Sequence, residues 1–149
     1  MKIVLGSDHA GFDLKERIRK YLTDWCVPVE DVGTTSTASV DYPDYAEKAA
    51  REIEDGKAER GILMCGTGVG VCMAANKFRG IRAAVAWNVE IARLSRLHND
   101  ANILCLPGRF IDPAEALEIV KVWLDTPFEG GRHQLRVDKI AALEKRDHV

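Results

Sequence analysis

Short apolar runs alternate with amphipathic stretches along almost the whole chain, and no feature restricts its fold more. Repeated strand-helix units of this kind assemble as a parallel sheet joined by crossover helices. Residues 2–6, 27–32, 61–65, 82–86 and 102–106 supply five such runs. After the first, Leu14, Ile18, Tyr21, Leu22 and Trp25 recur at helical spacing and predict one apolar face. The second ends at Gly33, and the small polar run of residues 34–39 is expected to be a mobile surface loop. Asp41 is expected to N-cap a helix with Pro43 in its first turn and Gly56 just past its end. Further helices are expected after Gly66-Thr67-Gly68-Val69-Gly70 and over residues 89–97, 114–124 and 133–145. Met64, Met73, Trp25 and Trp123 are assigned to the core, and His148 is read as incidental. The fold class is therefore α/β: an open, doubly wound (Rossmann/flavodoxin-like) sheet of five parallel strands flanked by helices, with a C-terminal helix, in one domain over residues 1–149.

Composition narrows the partners. The 149 residues are 46% hydrophobic, enough for one core. Twenty-one basic against 23 acidic side chains give a net charge of -2, which argues against nucleic acid or an anionic membrane as partner. Cys26, Cys65, Cys72 and Cys105 show neither CxxC pairs nor finger-type spacing, so a disulfide framework and a zinc site are both unsupported. Met1-Lys2 runs directly into the first apolar strand, leaving no room for a signal peptide, and no apolar run reaches membrane-spanning length. The expected compartment is the cytoplasm.

In an open parallel sheet, ligands bind outside the C-terminal strand ends where strand order reverses. Ser7-Asp8-His9, Cys65-Gly66-Thr67-Gly68 and Arg109 follow strands and belong to that edge. Placing the first two side by side requires the first and third strands to be neighbours, which predicts the order 2-1-3-4-5. His98-Asn99-Asp100 and Gly130-Gly131-Arg132-His133 follow helices and belong to the opposite edge. A five-residue strand spans about 17 Å, more than one side chain bridges. If both sets serve one small molecule, they come from two subunits.

Gly66-Thr67-Gly68-Val69-Gly70 between a strand and a helix suits a backbone anion nest, or simply a tight turn. Its register is not GxGxxG, Trp87-Asn88 stands where a ribose-binding acid would fall, and no Gly-Lys-Ser/Thr follows, so a nucleotide cofactor is disfavoured. Cys65 at the mouth of the loop suits a base or nucleophile, the alternative being a buried structural cysteine. Cys26, Cys72 and Cys105 are assigned structural roles. Asp8 is either a helix cap or, with His9, a ligand group, and His98 either a polar helix terminus or a catalytic imidazole. Arg132 and Arg136, one helical turn apart after two glycines, suit a phosphate that would offset their unfavourable place at a helix start.

With Gly6-Ser7-Asp8-His9-Ala10-Gly11, Asp41-Tyr42-Pro43, Cys65 to Gly70, Ala74-Ala75-Asn76-Lys77, Ser95 to Asn102 and Glu129-Gly130-Gly131-Arg132-His133 in this order, the sequence closely resembles the ribose-5-phosphate isomerase B family. Its wider relatives act on galactose and allose 6-phosphates. The resemblance implies interconversion of ribose 5-phosphate and ribulose 5-phosphate through a cis-enediolate, with no metal or organic cofactor. It implies Cys65 as the base; members lacking the cysteine carry glycine there and a glutamate six residues later, where this chain has Val71. It further implies His98 in ring opening, Thr67 assisting by hydrogen bonding, and the backbone of Gly66, Thr67, Gly68, Val69 and Gly70 stabilising the enediolate oxygen. Asp8, His9, Tyr42, Asn99 and His133 would contact the substrate, and Arg109, Arg132 and Arg136 mostly its phosphate. The implied partners are a sugar phosphate and a second copy of the chain, as a dimer or a tetramer. An isomerase of a six-carbon sugar phosphate is the alternative within the family; a Cys/His hydrolase or transferase using Cys65 covalently, and a non-enzymatic sugar-phosphate sensor, lie outside it.

Overall fold

A computed structural model describes residues 1–145, so His148 lies outside the described part. Eleven regular elements follow one another as β1 (Ile3–Ser7), α1 (Phe12–Asp24), β2 (Val29–Asp31), α2 (Tyr42–Glu54), β3 (Arg60–Cys65), α3 (Val69–Ala75), β4 (Ala83–Val85), α4 (Val89–Leu97), β5 (Ile103–Pro107), α5 (Pro113–Asp125) and α6 (Arg132–Leu143). A single 3-10 turn, His9–Gly11, joins β1 to α1. The five strands form one parallel sheet, as the alternation predicts.

The order of the sheet is β2-β1-β3-β5-β4, not the expected 2-1-3-4-5. β1 and β3 are neighbours as required, but β5 takes the place beside β3 and β4 becomes an edge. Side-chain bulk explains the exchange. β5, Ile-Leu-Cys-Leu-Pro, is buried throughout, whereas the three residues of β4, Ala-Ala-Val, are only half-buried. A short strand with little to bury suits an edge. Because parallel crossovers are right-handed, the backward step from β4 to β5 transfers α4 to the other face. Leu14, Ile18 and Leu22 of α1, Ala92 of α4 and Ala116, Ile119, Val120 and Trp123 of α5 accordingly share one core with Ile3, Leu5, Ile62 and Leu104. On the opposite face Ala46, Ala49 and Ala50 of α2 and Val71 and Ala75 of α3 pack on Val4, Leu63 and Ile103.

Met64 and Trp123 are fully buried as expected, but Trp25 and Met73 are exposed. Trp25 lies just beyond the end of α1 and meets Tyr21 edge to face at 4.9 Å, so these two rings pair with each other outside the core. Cys26, with φ 59, is exposed in the turn that follows. Asp41 holds the N-cap position of α2 without a side-chain cap bond, while Gly56 follows the helix with φ 73. Among the described residues no helix is long and apolar enough to cross a membrane.

Candidate active site

The segments after β1, β3 and β5 converge at the C-terminal edge of the sheet. Asp8 Oδ1 accepts hydrogen bonds from the Ala10 and Gly11 N–H groups at 3.0 and 3.1 Å, so Asp8 does cap the 3-10 turn. That turn lies directly on β3: a Cβ at Gly11 would sit 2.5 Å from the Met64 carbonyl oxygen. His9 Nδ1 accepts from the Val40 N–H at 3.2 Å, which in the neutral ring leaves the proton on Nε2. The same bond holds down one end of the loop at 34–39, and the Thr34 N–H donates to the Ser7 carbonyl at the other.

Cys65 ends β3, buried, and its sulfur accepts from the Gly68 N–H at 3.2 Å. Gly68 has φ 76, and a Cβ there would stand 2.9 Å from the Leu106 carbonyl carbon. Only glycine satisfies both conditions. Thr67 Oγ1 accepts from the Val69 N–H at 3.2 Å, leaving its own hydroxyl hydrogen to donate. A Cβ at Gly70 would lie 2.6 Å from the Tyr42 ring, so this glycine lets Tyr42 pack against the loop.

The corrected strand order brings in Arg109. With β5 against β3, Gly108 N–H donates to the Cys65 carbonyl at 2.8 Å and Arg109 N–H to the Gly66 carbonyl at 3.1 Å. The Arg109 side chain then passes Gly66, its Cδ 3.6 Å from where a Cβ would be. Asp8, His9, Tyr42, Cys65, Gly66, Thr67, Gly68, Val69, Gly70 and Arg109 thus occupy one edge.

A second cluster forms at the opposite edge. Leu97 ends α4, and the Glu129 N–H donates to its carbonyl at 3.1 Å, tying the start of α6 to the end of α4. The His98 and His133 rings stack as a result, 4.2 Å apart and 13° from parallel. Nε2 of each is 4.0 Å from the Glu129 Oε2. Burial, then the neighbouring His98 and Arg132, hold the His133 pKa below its usual 6.5. Arg132 and Arg136 are exposed one turn apart on α6, and Asn99 is exposed beside His98. Asp100, with φ 48, turns the chain back and pairs with Arg96 at 2.9 Å and with Arg82, just ahead of β4, at 3.3 Å. The acid of His98-Asn99-Asp100 therefore builds the loop. Arg96 lies beneath it, almost fully buried, donating to the Ala101 and Thr126 carbonyls.

Glu129 stands in the Glu129-Gly130-Gly131-Arg132-His133 run without a role of its own in the sequence; its N–H bond to the Leu97 carbonyl and its four-residue spacing from His133 bring it into the cluster. A cavity of about 820 Å³ adjoins this edge beside β4, lined among others by Lys77, Arg82, Asn99, Ile140 and Leu143. It does not include Cys65, whose glycine loop lies at the other end of the strands. Cys72 is half-buried behind the loop, where contact with the Cys105 thiol lowers its pKa, while burial raises that of Cys105.

The model of the ribose/galactose isomerase family matches residues 3–140. The chain belongs to this family. It is similar to ribose-5-phosphate isomerase B of Escherichia coli, 48% identical over 145 residues and 97% of each chain. It is also similar to a putative sugar phosphate isomerase of Bacillus subtilis, 43% identical over 148 residues and 99% of each. The structure of ribose-5-phosphate isomerase B from Clostridium thermocellum superposes with a TM-score of 0.96 at 51% identity, covering 97% of this chain and 98% of the other. That of the Mycoplasma genitalium enzyme with bound ribulose-5-phosphate gives 0.93 at 44% identity, covering 98% and 97%.

Proposed function

We propose that this chain interconverts ribose 5-phosphate and ribulose 5-phosphate without metal or organic cofactor, as one cytoplasmic isomerase domain over residues 1–149. Aldose-ketose isomerase activity follows from the family. The five-carbon substrate is carried over from the E. coli relative and from the M. genitalium structure holding ribulose-5-phosphate. The observation that carries the catalytic reading is Cys65, buried at a glycine loop with the Gly68 N–H on its sulfur.

His98 opens the furanose by moving a proton between the anomeric hydroxyl and the ring oxygen. The Cys65 thiolate then takes the C2 proton of the open-chain aldose as the C1 carbonyl becomes an enediolate oxygen. A proton passes from O2 to O1, and Cys65 returns its proton to C1, giving the ketose. Two loop N–H groups are already committed, Gly68 to the sulfur and Val69 to Thr67 Oγ1, which leaves the other donors of loop 66–70 and the Thr67 hydroxyl to stabilise the developing oxyanion. Asp8, His9, Tyr42, Asn99 and His133 hold the sugar, and Arg109, Arg132 and Arg136 the phosphate.

The site is completed by a second copy of the chain. Cys65 and His98 lie at opposite ends of strands that are about 17 Å long, so one subunit supplies the glycine loop and its partner the histidine cluster. Exposed Met73, Leu135, Ile140 and Leu143 supply apolar surface for such pairing. The deciding measurement is turnover of ribose, allose and galactose phosphates in deuterated water. The proposal expects fastest turnover of ribose 5-phosphate with deuterium entering at C1 of the ketose; faster turnover of a six-carbon phosphate, or a trapped covalent adduct on Cys65, overturns it.

A further inference from the structure

The His98, Glu129 and His133 side chains make few bonds to one another, and that is the informative point. Glu129 Oε2 is 4.0 Å from both Nε2 atoms, too far for a hydrogen bond to either. The rings are stacked 13° from parallel, so their in-plane lone pairs run side by side and one ring must turn for both to reach one ion. One donor atom from each of the three residues lies within 4.8 Å of the others. Two imidazoles and a carboxylate are a zinc-type donor set. Ligands about 2.0–2.2 Å from a common tetrahedral ion stand roughly 3.3 Å apart, so the set closes when the donor atoms draw in and the exposed His98 ring turns out of the stack. The freedom to move is present. Glu129 and His98 are 58% and 38% exposed at the side chain, while His133, at 8%, is the fixed member.

The surroundings select the ion. Arg132 and Arg136 stand beside the cluster and oppose any dication held by charge alone, and a single carboxylate does not offset them. Magnesium and calcium, which need several oxygen ligands, are excluded on that ground. A borderline transition-metal dication, bound through imidazole nitrogen, is not. We propose that His98, Glu129 and His133 form a binding site for zinc-class dications, and that a bound ion occupies the His98 nitrogen and inhibits the isomerase. The inhibitory half rests on the reading of His98 as the ring-opening group. The binding half does not.

The test uses the full-length protein stripped of metal with a chelator and titrated with Co²⁺ without substrate. One Co²⁺ per chain is expected, with visible d–d bands of a low-coordinate site, displaced by Zn²⁺ and unaffected by excess Mg²⁺. Glu129→Gln and His133→Asn, checked for folding by circular dichroism, should each weaken Co²⁺ binding on the order of 10–100-fold. Unchanged affinity in both variants, or a near-ultraviolet thiolate-to-metal band placing the ion on a cysteine, overturns the site. In a second arm, Zn²⁺ should suppress ribose 5-phosphate turnover in the parent protein, reversibly with chelator, and at correspondingly higher concentration in Glu129→Gln. Binding without inhibition overturns the inhibitory half alone. A chain that turns over no ribose 5-phosphate overturns the proposed function, while the Co²⁺ titration still decides the site.

Discussion

The Cys65 sulfur accepts the Gly68 N–H at 3.2 Å, and this contact ties the position of the thiol to the shape of the loop. Gly68→Ala tests the link. The new Cβ would face the Leu106 backbone at 2.9 Å in a residue with φ 76. Left-handed backbone alone costs about 1–2 kcal/mol for a non-glycine residue, before the backbone collision is added. A lower urea midpoint is expected, together with a loss of kcat beyond what the unfolded fraction explains. An unchanged midpoint would show that the loop takes another course.

Cys65→Ala removes the proposed base and leaves the arginines intact. Turnover should fall by about 10²–10⁴, the usual worth of a positioned general base. Inhibition constants for inorganic phosphate should change little. Near-parental turnover would remove Cys65 from the mechanism.

Subunit complementation tests the shared site directly. Cys65→Ala and His98→Asn homo-oligomers should each be inactive on cyclic ribose 5-phosphate. After subunit exchange, verified by mass spectrometry, mixed pairs carry one site with both native residues, so activity should return. Failure to recover would place both groups in one chain.

His133 carries a pH signature. Its folded pKa lies below 6.5, held there by burial first and then by His98 and Arg132. Below about pH 6.5 the unfolded chain therefore binds the proton more readily than the folded one, and stability falls as the pH falls through that window. Above it the contribution is constant. His133→Gln should flatten this part of the stability profile, and histidine-resolved NMR titration should give His133 a midpoint under 6.5. A midpoint at or above 6.5 refutes the assignment.

Much of this arrangement is legible from residue order. Strand-helix alternation assigns each motif to a sheet edge, and Cys65 and His98 fall on opposite edges in the structure as in the reading of the sequence. The positions of β4 and β5 are not legible in that way, because exchanging them leaves every motif on its edge. Only the burial demand of Ile103 to Leu106 against that of Ala83 and Ala84 separates the two orders. Periodicity also overextends the faces of the helices. Trp25 and Met73 continue apolar patterns, yet Trp25 falls past the last turn of α1 and Met73 points away from the sheet. Glu129 lies in a recognisable run, but its place in the histidine cluster is not legible there, since its partner Leu97 belongs to a distant helix whose approach depends on the packing of α4 beside α5.

The place of β4 has a consequence for synthesis. Among the described residues its one neighbour in the sheet is β5, a strand made later. A chain leaving the ribosome N-terminus first therefore carries residues 83–85 with no strand to join until Pro107 has emerged. The β1-β3 pair is able to form early, but its growth towards β4 waits on the segment that inserts between them. Pulse-labelled amides of Ala83 to Val85 should gain protection last among the strands, and fragments ending before residue 103 should leave them open to exchange.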